Sequence, residues 1–320
     1  MRILLTGGTG FVGSHVVRAL HRQFGAGLDL IITTKNVTDH GEAGATDILA
    51  LDVTDREAIF NAIARWQPTH VLHLAGIAAP GLASADPELT WRVHVGGALN
   101  VAEAILAKAT GCFLVHVGSG LIYGESARNG TLLNENALLA PLDDYGVTKA
   151  AADLAIGALT RKGLRSVRLR PFNHTGPGQT EDFVVPAFAM QIAGIEKGLV
   201  EPVLRVGNLD AERDFLDVRD VAEAYVLAIS RADRIEPGTI FNIASGTPYR
   251  IGYILDALLA LSVVDIRVEQ DPARMRPSDI PKIVGDASKA RECLGWTPRH
   301  NFDQTLRDVL DDARLRVARR

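Results

Sequence analysis

The sequence predicts an α/β protein: a doubly wound parallel sheet joined to a smaller, discontinuous substrate-binding lobe. Three observations carry that reading. Short apolar runs alternate with longer amphipathic stretches through the first 170 residues. Those runs are continuously apolar, as strands buried on both faces are. A glycine-rich turn stands between the first run and the first amphipathic stretch, where sheets of this kind bind anionic ligands.

In chain order, strands are expected at 2–5, 28–33, 48–51, 70–74, 113–117 and 167–169. Helices are expected between them at 11–23, 56–66, 89–107 and 145–159. Right-handed crossovers between parallel strands then give the doubly wound arrangement. After Arg170 the texture changes, because Pro171, Gly176, Pro177, Gly178, Pro186 and Pro202 interrupt the pattern. A helix at 218–229 and a strand at 239–243 read as a return to the main sheet, and a helix near 302–317 closes the chain. The expected division is therefore 1–170 plus about 214–245 for one lobe, and about 171–213 plus 246–320 for the other, with a cleft between them.

Composition narrows the function. The 320 residues are 47% hydrophobic and 22% charged, which excludes a disordered tail or a fibre. Thirty-four basic residues against 38 acidic leave a net charge of −4, with no basic surplus for nucleic acid. No apolar run is long enough to span a membrane, and the chain starts with a strand-like segment where a secretory signal would stand. A cytoplasmic location is expected. The two cysteines, Cys112 and Cys293, support no disulfide framework and lack metal-ligand spacing, so no metal is expected.

The turn reads Thr6-Gly7-Gly8-Thr9-Gly10-Phe11-Val12-Gly13. Gly7 permits the tight turn, Gly10 lets a pyrophosphate approach the backbone, and Gly13 allows close helix–strand packing. With Phe11 and Val12 these form the expected dinucleotide loop. The second strand ends in Thr33-Thr34-Lys35, without the acid that accepts a ribose 2′-hydroxyl in NAD proteins. Thr34 and Lys35 are instead candidates for a 2′-phosphate, although a solvated loop lysine is the plainer alternative. Asp52 and Val53 are placed to face the adenine, or Asp52 simply caps the next helix. Ala75 and Gly76 would let the cofactor pass close to the backbone.

Tyr145 and Lys149 lie four apart on one expected helix face. A neighbouring cation favours the phenolate, so this tyrosine can give a proton to a carbonyl oxygen or take one from an alcohol. Ser119, at the end of the fifth strand, offers a hydroxyl to the same oxygen.

With these residues in this order, the chain resembles the extended short-chain dehydrogenase/reductases, the NAD-dependent epimerase/dehydratase family. The likeness rests on T-G-G-T-G-F-V-G at 6–13, H-L-A at 73–75 and S-x-x-x-Y-G at 119–124. It implies a Rossmann fold, Ser119, Tyr145 and Lys149 as catalytic residues, and a nicotinamide-ribose contact for Lys149. Where relatives carry an asparagine, this chain has His94, which either substitutes for it or packs.

The resemblance extends to Arg170-Pro-Phe-Asn173 and Gly207–Phe215, and to Arg276-Pro-Ser-Asp279. It implies that Asn173, Arg213 and Arg276 meet a substrate diphosphate and that Asp279 approaches the nucleoside ribose. The likeness is greatest to reductases of GDP-4-keto-6-deoxymannose. It implies a homodimer that uses NADP(H), with NAD(H) as the alternative, to reduce the C4 keto group of a GDP-4-keto-6-deoxyhexose. Competing readings are a nucleotide-sugar 4-epimerase with bound NAD, a GDP-mannose 4,6-dehydratase, and a redox sensor without turnover. Dehydratases carry acids at the positions of Gly120 and Leu121, so the expected reaction is reduction without loss of water.

Overall fold

The structure, a computed structural model, describes residues 1–35, 47–275 and 280–319. The chain opens with β1 (Arg2–Thr6), α1 (Phe11–Phe24), β2 (Asp29–Thr34), β3 (Asp47–Ala50), α2 (Arg56–Trp66) and β4 (His70–His73). There follow α3 (Pro80–Ala85), α4 (Pro87–Trp91), α5 (Gly97–Lys108), β5 (Phe113–Val117), α6 (Asp144–Leu159) and β6 (Arg165–Pro171). The remainder runs β7 (Asn173–Thr175), α7 (Val184–Glu196), β8 (Val203–Val206), β9 (Glu212–Asp217), α8 (Val218–Ser230) and β10 (Thr239–Ile243). It ends with β11 (Pro248–Arg250), α9 (Ile251–Leu259), β12 (Arg267–Gln270), β13 (Lys282–Ile283), α10 (Ser288–Leu294) and α11 (Phe302–Ala318).

Seven strands form one sheet in the order β10-β6-β5-β4-β1-β2-β3, and every adjacent pair is parallel. This is a Rossmann-type α/β fold, as expected. The central strands β1, β4 and β5 are short and largely apolar because both faces are covered. Ile3, Leu5, Leu72 and Val115 pack toward α1 and α8, while Leu4, Val71 and Leu114 pack toward α2, α5 and α6. The chain direction reverses its winding between β1 and β4, and a crevice opens there at the carboxyl ends of the strands.

A separate core joins α7, α9 and α11 above two small sheets, β11-β9-β13 with β7, and β12-β8. Strand β10 returns to the large sheet beside β6. Strand β9, part of which the sequence reading assigns to the nucleotide-binding lobe from about 214, is instead hydrogen-bonded into the smaller sheet.

The long helix expected at 89–107 differs from expectation. It starts at Pro87, capped by Asp86, and loosens into a π-helical turn over Arg92–Gly96 before α5. His94 lies in that turn.

Candidate active site

A cleft of about 930 Å³ runs along the carboxyl edge of the large sheet, and its lining includes residues of the smaller sheets and of α7. Gly7, Gly10, Phe11, Val12 and Gly13 line one end. Gly7 adopts φ +71°, which favours glycine, and a β-carbon there would sit 2.9 Å from Ala75 N. A β-carbon on Gly13 would lie 2.5 Å from the carbonyl oxygens of Gly7 and Gly8, so α1 can press onto the turn only with glycine there. The N-terminus of α1 has no side-chain cap and no acid in its first turn. Among the described residues no side chain engages its first amides, and the helix dipole favours an anion there. Ala75 and Gly76 line the same wall.

Thr34, Lys35, Asp52 and Val53 lie off the cleft lining, at the ends of β2 and β3. Thr9, which lines the cleft, donates from its hydroxyl to Thr34 Oγ1 at 3.1 Å. The Lys35 ammonium lies 3.4 Å from Asp52, whose carboxylate also accepts the Thr54 amide and hydroxyl. Lys35 and the Thr54 contacts hold the Asp52 carboxyl below its usual range, against the opposing effect of burial, the largest single cause. Asp52 is not the cap of α2. Asp55 is, accepting from Ala58 N.

Ser119, Tyr145 and Lys149 converge in the middle of the cleft. Asp143 caps α6 by accepting from Gly146 N at 2.7 Å, which sets where Tyr145 starts the first turn. Burial pushes the Tyr145 phenol up to about 12, while its Ser119 partner pulls the other way. The Lys149 ammonium donates to Val117 O at 3.3 Å, and burial draws its pKa down to about 8. Tyr123, the tyrosine of the S-x-x-x-Y-G segment, is fully buried. Its hydroxyl donates to Asn242 at 2.7 Å and accepts from Arg170 at 2.9 Å, so it packs while Tyr145 faces the cleft.

His94 meets the site from behind. Its Nε2 accepts from Ile77 N at 3.0 Å and its Nδ1 pairs with Thr148 Oγ1 at 2.8 Å. The ring lies edge-on to Tyr145, 5.6 Å between centroids at 88°. Burial, reinforced by Lys149, lowers its pKa to about 3, so it is neutral and ties α6 to the loop after β4.

On the opposite wall Asn173 and Arg213 line the cleft. Arg213 donates to Glu212 O and Pro281 O and meets no carboxylate among the described residues. Burial lowers its pKa. A desolvated guanidinium bonded only to carbonyls is suited to an anionic ligand. Arg276 and Asp279 lie outside the described residues. Sequence reasoning missed Arg205, Asn208 and Arg274, which also line the cleft. Arg205 and Arg274 come from separate short elements with no local motif, so only tertiary structure brings them together, whereas Asn208 lies within the 207–215 segment that the resemblance covers.

The fold and this arrangement at the switch point are those of Rossmann-type proteins of the epimerase/dehydratase class. The sequence pattern of the GDP-mannose 4,6 dehydratase family matches residues 4–309, and the chain belongs to that family. It is 35% identical over 251 residues to a GDP-6-deoxy-D-mannose reductase of Pseudomonas aeruginosa, covering 78% of this chain and 82% of the relative. It is 27% identical over 297 residues to a GDP-6-deoxy-D-talose 4-dehydrogenase of Aggregatibacter actinomycetemcomitans, covering 92% of each. Among solved structures, RMD from Pseudomonas aeruginosa complexed with NADPH superimposes with a TM-score of 0.84 at 29% identity, covering 98% of this chain and 99% of that one. The Thermus thermophilus UDP-glucose 4-epimerase complex with NAD gives the same TM-score, identity and coverage.

Proposed function

We propose that the protein reduces the C4 keto group of a GDP-4-keto-6-deoxyhexose with NADPH. The observation that carries this is the convergence of Ser119, Tyr145 and Lys149 on a cleft lined beside them by Leu121, with Gly120 behind it and no acid at either position. A β-carbon at Gly120 would lie 2.9 Å from the Phe172 ring, so no carboxylate fits there. The relative named GDP-6-deoxy-D-mannose reductase and the neighbour complexed with NADPH support the same reading.

The residues present fit a dinucleotide. The glycine cradle and uncapped α1 take the pyrophosphate, and Thr34 with Lys35 takes a 2′-phosphate once Lys35 turns from Asp52. When bound, NADPH supplies the hydride. Tyr145 gives its phenolic proton to the C4 oxygen, Ser119 donates a hydrogen bond to the same oxygen, and the Lys149 cation lowers the cost of the phenolate left behind. Asn173 and Arg213, with Arg276, hold the diphosphate, and Asp279 the ribose.

We further read the chain as two lobes, 1–170 with a return that begins after β9 and runs to about 245, and the rest, in a cytoplasmic homodimer. Trp91 on α4 and Val147 and Leu154 on α6 are exposed apolar side chains that support pairing through these helices. No described helix is long and apolar enough to cross a membrane.

The test has two arms. Incubation with NADPH and GDP-4-keto-6-deoxymannose should oxidise the cofactor, and a 4-epimerase carrying tightly held NAD would leave NADPH untouched. Incubation with GDP-mannose and NADP⁺ should show no loss of water by mass spectrometry. Appearance of the 4-keto-6-deoxy product would replace the reductase with a dehydratase.

A further inference from the structure

Beneath Lys149, on the sheet face that α6 covers, lies a layer of buried polar side chains that the proposed reaction does not use. His73 on β4 and His116 on β5 are cross-strand partners, stacked with centroids 5.8 Å apart. His73 Nδ1 shares a 2.8 Å hydrogen bond with Thr6 Oγ1. His116 is 2% exposed, yet neither ring nitrogen meets a protein partner among the described residues. Its register partner on β6 is Arg168, and the Arg168 Nε–H and the Ser166 hydroxyl are likewise without one. Residues two apart on a strand share a face, so four unpaired polar atoms occupy one buried strip of β5 and β6.

Helix α6 lays Lys149 and Asp153 over that strip, one turn apart on the same side. Lys149 donates to Val117 O, the carbonyl next in chain to His116. Asp153 is engaged by Arg168 at 3.0 Å and Arg170 at 2.7 Å. Buried polar groups are nearly always paired, with protein or with ordered water, and internal waters typically serve several such groups at once.

We propose that this strip holds internal water and that His116, through that water, accepts hydrogen bonding from the Lys149 ammonium. His116 is then a positioning residue that keeps Lys149 charged and in place. The inference deepens the Tyr145–Lys149 reading and rests on it for its functional meaning. The electrostatics agree. Burial, then Lys149 and Arg168, lower the His116 pKa to about 3, so the imidazole is neutral and retains a lone pair. An acceptor for the charged form of a lysine opposes the effect of its burial. The other groups facing Lys149 do not serve. His94, on the π-helical turn, and His73 are likewise held neutral by burial, but His73 Nδ1 already pairs with Thr6 Oγ1. Thr148 and Ile77 already engage both His94 nitrogens. Tyr145 offers its ring, with the ammonium 5.9 Å from the centroid. Asp153 is taken up by two arginines.

The test titrates Lys149 directly in the cofactor-free protein, using carbon-13-labelled lysine and NMR, with Lys149→Arg to assign the signal. His116→Leu should lower the Lys149 midpoint by about one pH unit or more, whereas His116→Gln, which retains an acceptor, should stay within about half a unit. A packing role alone would change melting temperature and leave the midpoint where it was. An unmoved midpoint in folded His116→Leu overturns the proposal. If that variant fails to fold, a high-resolution crystal structure of the wild type decides. Ordered water within hydrogen-bond distance of a His116 ring nitrogen supports the proposal, and a dry strip sinks it. Neither readout involves substrate, so failure of the reductase reading would appear separately, as an absence of turnover.

Discussion

The Lys149 ammonium lies 5.9 Å from the centroid of the Tyr145 ring, with both side chains buried: Lys149 is 8% exposed and Tyr145 9%. Their shared burial acts in opposite directions. It raises the phenol to about 12 and lowers the ammonium to about 8, because each shift disfavours the charged form of its own group. At neutral pH the pair is therefore a protonated phenol beside a cation, the state needed to deliver a proton to a carbonyl.

Tyr145→Phe removes that proton and little else, since the ring and its contact with His94 remain. The rate of keto-sugar reduction should fall by about two to four decades, the span expected of a general acid. Binding of NADPH and of GDP-sugar, measured by calorimetry, should persist. Wild-type turnover in the folded variant would remove Tyr145 from the reaction. Ser119→Ala should cost less, as one hydrogen bond among several.

The pH profile of reduction follows from the same shifts. Burial alone sets the Lys149 midpoint at about 8, and hydrogen bonding through the His116 water opposes that burial. Lys149 loses its proton as pH rises through its midpoint, so kcat/KM should fall on the basic side with a midpoint at about 8 or higher. The Tyr145 phenol, pushed up to about 12, retains its proton across that range. His94 and His116, both lowered to about 3, should leave no acidic limb near the ordinary histidine value. An activity loss with a midpoint near pH 6.5 that vanishes in His94→Asn would contradict this assignment.

Arg213→Ala should raise KM for the GDP-sugar by about tenfold or more, the scale of one charge-assisted hydrogen bond, while NADPH affinity stays nearly unchanged. Steady-state kinetics with each substrate varied in turn check this. Weakened NADPH binding alone would place Arg213 on the wrong ligand.

Cofactor preference turns on the end of β2. With Thr34 and Lys35 where an acid would accept a ribose 2′-hydroxyl, kcat/KM for NADPH should equal or exceed that for NADH. A preference for NADH of about tenfold, roughly 1.4 kcal/mol at the transition state, would refute it. Lys35→Ala should narrow any preference for NADPH, because its ammonium stands at that strand end and, among the described residues, leaves a partly exposed pair with Asp52 to meet a phosphate.

Much of this architecture was legible in the chain. The strands of the first 170 residues and the helices α1, α2 and α6 fall within one or two residues of their expected positions, because continuous apolar runs and amphipathic stretches differ in period. Helix α3 is not expected from the pattern, and the 89–107 helix is broken. The glycine turn was legible because steric demand at Gly7 and Gly13 admits no side chain. The π-helical turn at Arg92–Gly96 was not, since its cause is tertiary: His94 is drawn in to bind Ile77 and Thr148, across two other elements. The plainer alternative for Asp52, a cap on α2, fails because Asp55, three residues on, makes that contact.

Sequence alone determined the doubly wound sheet, the dinucleotide turn and the tyrosine–lysine pair, because each depends on spacing within one element or across one turn. Only the tertiary structure shows how Tyr123 is taken up, since distant β6 and β10 supply its partners Arg170 and Asn242. It also decided that Arg205, Arg213 and Arg274 all line the cleft, and that His73 and His116 stack in one buried layer. Those relationships come from strand register and from helix packing over the sheet. Both depend on long-range burial that no local pattern encodes.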